Sequence, residues 1–116
     1  MTDHYASHKQ HERCEELDLQ VSESSAVIVL RGEIDIEIQP CFMHILNDLR
    51  GFTGEITVDA REVEFIDSSG IAILGEIARR HPNRVTLINT PPTMLFILEV
   101  TDIISSVQVV YPEQIR

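Results

Sequence analysis

The stretch Phe65-Ile66-Asp67-Ser68-Ser69-Gly70-Ile71 decides how this chain is read. An apolar, extended-looking segment stops at a polar Asp-Ser-Ser-Gly step, and a helix-like apolar run follows it. Asp and Ser side chains accept hydrogen bonds from the unpaired N–H groups of a first helical turn, so the step predicts a helix start. Ile71, Leu74, Gly75 and Ala78 continue at helical spacing, and Ala72, Ile73 and Ile77 make most of the girth apolar. The helix should be well buried and should end at Arg80-His81-Pro82-Asn83, where proline stops it. Two roles are open to the serines at this start. They can cap the helix, or one can carry a phosphate, which the positive end of the helix dipole and free N–H groups favour.

Working outward, Leu17 to Val21 alternates apolar and polar residues, as in a strand with one wet face. Ser22 to Ser25 reads as a turn, and Ala26-Val27-Ile28-Val29-Leu30 as a central strand covered on both faces. Gly32-Glu33-Ile34-Asp35 ends that strand. Ile38, Phe42, Ile45, Leu46 and Leu49 recur at helical intervals, and Gly51 and Gly54 lead into a strand from Glu55 to Asp59. Arg84 to Ile88 reads as a strand, Pro91-Pro92 opens a third helix with Met94, Leu95, Ile97 and Leu98, and Val107 to Val110 is an edge-like strand. The order ββαβαβαβ predicts an α/β fold, a mixed sheet of about five strands. Right-handed crossovers place its helices mainly on one face. Residues 1–13 are polar, His-rich and without apolar period, which predicts an unstructured leader before a single domain over residues 14–116.

Nine Lys and Arg against 19 Asp and Glu give a net charge of −10, which argues against nucleic acid and anionic membranes as partners and for a basic or polar protein surface. The apolar runs are short and the amino terminus lacks a signal-like core, so a cytoplasmic protein is expected. Cys14 and Cys41 show no metal or redox spacing and are expected to be free thiols. No phosphate-binding glycine loop is present, and the only lysine is Lys9. No serine elbow is found, and neither His44 nor His81 is placed beside Ser68, so the chain is not expected to be an enzyme. Two metal readings compete with solvated or capping side chains: His4, His8 and His11 of the leader together with Cys14, and Glu33, Asp35, Asp59 and Asp67 near strand ends. Neither is preferred, so no metal and no cofactor is expected.

Gly32-Glu33-Ile34-Asp35, the strand Ile56-Thr57-Val58-Asp59, Phe65 to Ile71 and Asn89-x-Pro91 together resemble the STAS-domain family, specifically bacterial anti-sigma-factor antagonists, from about Leu17 to Val110. The resemblance implies a phosphorylation-controlled protein-binding switch. The unphosphorylated form binds an anti-sigma factor that is also a serine kinase and releases the sigma factor, and a phosphatase reverses the modification. It implies Ser68 as phosphoacceptor, with Ser69 the second choice, and Asp35, Asp67, Ser68, Ser69 and Gly70 as partner-binding residues. Gly70 is expected to leave room for a close partner. The family often has small or hydroxyl residues where this chain has Ile36-Glu37-Ile38-Gln39-Pro40, in a region that contributes to partner contact. The alternative is a constitutive STAS subunit of a stress-signalling or lipid-transport complex, with Ser68 only capping its helix.

Overall fold

The computed structural model describes residues 15–111. Its strands are β1 (Leu17–Val21), β2 (Ser25–Ile34), β3 (Glu55–Ile66), β4 (Val85–Ile88) and β5 (Gln108–Val109). Its helices are α1 (Gln39–Asp48), α2 (Ser68–Arg80) and α3 (Pro92–Val100), with 3-10 turns at Ile36–Ile38 and Ile103–Ser106. The sheet order is β1-β2-β3-β4-β5, with β1 antiparallel to β2 and the remaining pairs parallel. Each parallel pair is joined by one helix, and right-handed crossovers between sequential neighbours stack all three helices on the same face.

Burial follows from that layering. Ala26, Ile28 and Leu30 of β2, Ile56, Val58 and Ala60 of β3, and Val85 and Leu87 of β4 point at the helices and are buried. Their neighbours Val27, Val29, Thr57, Asp59, Thr86 and Ile88 face the uncovered side and are half-buried. The expectation that β2 is covered on both faces is therefore corrected. Its unbroken apolar run reflects β-branched residues suited to a pleated surface rather than a second helical layer. α1 contributes Phe42, Ile45 and Leu46 to the core, and α2 contributes Ile71, Ile73, Leu74 and Ile77.

β3 is also longer than its pattern suggested, running past Asp59 to Ile66. β4 pairs with it only from Ile56 to Asp59, so the last part of β3 is paired with β2 alone. Arg61, Glu62 and Glu64 are exposed there, which hides the strand period in the sequence. The β2–β3 register shifts on either side of Arg31-Gly32, and Gly32 has φ +71°, a conformation in which glycine escapes the Cβ penalty. The shift allows Ile34 and Ile66 to finish side by side, both buried. The free-thiol expectation does not hold for Cys41, which is disulfide-bonded.

At the far end of α2, His81 occupies the C-cap and is buried. Burial, then the nearby Arg84 guanidinium, holds its pKa below the ordinary value, opposed by a hydrogen bond with the backbone of Phe52. A base whose folded pKa is depressed takes up its proton more readily when unfolded, so folding stability falls as pH drops through the ordinary histidine value of about 6.5. The thermal midpoint should fall between about pH 7 and pH 5, with a shallower slope in His81→Gln. Equal slopes in the two proteins would remove His81 as the cause. Glu76 titrates in a different window: hydrogen bonds from Arg79 and Arg80 lower its pKa to about 2, so it stays charged throughout that range.

Candidate functional site

The end of β3 delivers the chain to α2 through Asp67, whose extended backbone (φ −112°, ψ −170°) makes it the N-cap. Its Oδ1 accepts from the N–H of Ser69 at 2.9 Å and of Gly70 at 3.2 Å, and its carbonyl accepts from Ile71 N–H at 3.0 Å. Asp67 N–H in turn donates to the Ile34 carbonyl at 3.3 Å, tying the cap to the end of β2. With the cap supplied by Asp67, Ser68 is the first residue of the helix, exposed, and its hydroxyl enters no hydrogen bond among the described residues. Ser69 is half-buried and turned toward α1, where it lines the groove between the two helices.

Gly70 is buried rather than presented to solvent. A Cβ there would stand 2.5 Å from the Ile34 carbonyl oxygen, 2.7 Å from Ile66 Cγ1 and 2.9 Å from Ile34 Cγ2. The room that Gly70 leaves is filled by the protein's own β2 and β3, so glycine is required for the seating of α2. Through that seating Gly70 fixes the position of Ser68 at the helix start.

Asp35 caps the 3-10 turn Ile36–Ile38, accepting from Glu37 N–H at 3.0 Å. The turn stands beside the start of α2, because β2 and β3 end in register at Ile34 and Ile66. The turn leaves Ile36 exposed and sinks Ile38 into the core. The other acidic residues are dispersed. Asp59 accepts from Arg61 N–H and from Asn89 Nδ2, each at 3.1 Å, and Glu33 lies exposed on β2. Among the described residues no group of three or more His, Cys, Asp or Glu side chains is placed to hold a metal ion, so Glu33, Asp35, Asp59 and Asp67 form no such site. His4, His8, His11 and Cys14, and with them the whole of the expected 1–13 leader, lie outside the described residues.

The groove between α1 and α2 was not foreseen. It holds about 320 Å³ and runs from Ile36 and Ser69 at one end to Glu76 and Arg80 at the other. Met43 on its α1 wall is 54% exposed, and Ala72 on its α2 wall is also exposed. The helical period marks Met43 as lying off the core stripe of α1, and that was the available signal. No described helix is long and apolar enough to cross a membrane.

No curated protein matches this chain. Among solved structures, it is similar to the unphosphorylated anti-sigma factor antagonist SpoIIAA, with 21% identity over 84% of this chain and 90% of that one, and a TM-score of 0.68. It is similar to an anti-sigma factor antagonist from Mycobacterium paratuberculosis, with 18% identity, 83% and 84% coverage and a TM-score of 0.69. The phosphorylated form of the Bacillus cell fate determinant SpoIIAA matches at 22% identity, 84% and 94% coverage and a TM-score of 0.58. These likenesses show a common fold. The sequence model of the family described as "Mlab, STAS domain" matches residues 17–108, and over that span the chain belongs to the STAS-domain family.

Proposed function

We propose that this protein is an anti-sigma-factor antagonist: a non-enzymatic, cytoplasmic binding switch whose phosphoacceptor is Ser68. The observation that carries the reading is the division of labour at the start of α2. Asp67 holds the helix end, so the neighbouring Ser68 hydroxyl is exposed and uncommitted. In the unphosphorylated state the surface formed by Asp35, Asp67, Ser68 and Ser69 receives an anti-sigma factor with serine kinase activity, and the sigma factor is released. That SpoIIAA, a similar fold, exists in unphosphorylated and phosphorylated forms supports the reading.

In the modification step, the Ser68 oxygen attacks the γ-phosphorus of Mg-ATP held by the kinase. The bond to the ADP oxygen breaks, and the hydroxyl proton passes to a base of the kinase. The product adds about −1.5 to −2 charge at the helix start. The helix itself tolerates this, since its N-terminal end favours anions. A closely fitted protein surface does not, because a dianion must then be desolvated beside the Asp67 carboxylate. Binding is lost without refolding, and a phosphatase restores it.

The test is to incubate the protein with ATP and each anti-sigma-factor serine kinase of its source genome, then locate phosphate by mass spectrometry. Stoichiometric modification at Ser68 is the expected result. A protein left unmodified by every kinase, or modified only elsewhere, would end the proposal; modification at Ser69 alone would move the acceptor by one residue.

A further inference from the structure

We infer that the groove between α1 and α2 receives an uncharged, apolar anchor side chain from the same partner protein that comes to Ser68, and that Ile36 and Met43 select that partner. This rests on the proposed function and adds the surface that would carry its affinity. Ile36 and Met43 are large apolar side chains, 58% and 54% exposed, standing over one concave feature. A volume of about 320 Å³ lies at the small end of ligand cavities, which suits side chains rather than an extended cofactor.

The charges select the occupant. The ionisable groups lining the groove are Glu76 and Arg80, and they are paired with each other at 2.7 Å, with Arg79 completing the cluster. Within the lining Glu76 and Arg80 neutralise one another, and the surplus positive charge of the cluster sits on Arg79, whose side chain is 69% exposed and lies outside the lining, so a charged visitor buried in the groove would lose more in hydration than it gained. A second copy of this chain is disfavoured by a net charge of −10 on each molecule.

The groove is also continuous with the serine. Residues four apart lie on one side of a helix, one turn above the other, so Ser68 stands directly over Ala72, which lines the groove. A partner whose anchor fills the groove passes close to Ser68. A phosphate on that hydroxyl then blocks the entrance while leaving the lining untouched.

The experiment is calorimetric titration of the full chain with the kinase that modifies it, comparing Met43→Arg, Met43→Gln and Ile36→Arg with the wild type. Phe96→Arg, at an exposed position on α3, is the control. Met43→Arg and Ile36→Arg should each weaken binding by about tenfold or more, Met43→Gln by less, and Phe96→Arg by under about twofold, with unchanged thermal midpoints. Binding of Met43→Arg within about twofold of wild type would overturn the groove, even if Ser68→Glu abolished binding. The converse pattern, loss in Met43→Arg with Ser68→Glu unaffected, would keep the groove and remove the switch. A groove filled by a small apolar molecule, seen as such a ligand co-purifying and blocking the kinase, would also overturn it, and failure of the wild type to bind any of the kinases would overturn both.

Discussion

Gly70→Ala should unfold this domain roughly 8 °C below the wild type, a large effect for one methyl group. Two terms oppose one another. Alanine is the better helix former by about 1 kcal/mol, which would stabilise α2 if the site were open. The added Cβ, however, meets a carbonyl oxygen of β2 at 2.5 Å, and a backbone atom cannot swing aside as a side-chain end can. Overpacking of this kind costs about 3 kcal/mol, at the upper end of its usual range, leaving a net loss of about 2 kcal/mol. Urea unfolding monitored by circular dichroism measures it. Gly70→Ala as stable as the wild type would mean that the first turn of α2 can lift from the sheet at little cost, and the account of its seating would fail.

The second large effect concerns binding and not stability. Ser68→Glu should abolish affinity for the anti-sigma factor, by about a hundredfold or more, while Ser68→Ala binds as the unmodified protein does and resists phosphorylation. Neither variant should lose much stability. The Ser68 hydroxyl makes no hydrogen bond among the described residues, and a glutamate in the first helical turn is favoured by the helix dipole. Surface changes of this sort lie within about 0.5 kcal/mol. A constitutive subunit would bind its complex equally in both variants. A stability loss of about 1 kcal/mol in Ser68→Ala would instead give Ser68 the capping role that the hydrogen bonds assign to Asp67.

The element order and the start of α2 were legible because they are written in local periodicity and in capping chemistry at Asp67. Other features depend on residues distant in sequence. Whether Val27 and Val29 are covered is decided by where three crossovers place their helices, and the apolar run at β2 carries no record of it. The extension of β3 through Arg61, Glu62 and Glu64 was hidden because a strand with only one neighbour is free to carry charge. Gly70 read as an accommodation for a partner because the carbonyl that excludes a Cβ belongs to Ile34 at the end of β2, with α1 and β3 between them in the sequence. The resemblance drew attention to Ser68, whereas the groove beside it is lined by Ile36, in the segment where this chain departs from the family's usual residues, and by Met43 on α1.

The unequal lengths of β3 and β4 have a mechanical consequence. Past Asp59 the sheet narrows, on the β4 side, to the β2–β3 pair, so α2 starts from an arm of two strands, with the Gly32 irregularity along it. The arm is nonetheless stiff, because Ile34 and Ile66 are buried at its tip and the Ile34 carbonyl packs against Gly70 of α2. The serine proposed as phosphoacceptor is thus carried on a stiff rim with no strand beyond it on the β4 side, open to an enzyme's active site while the core stays closed.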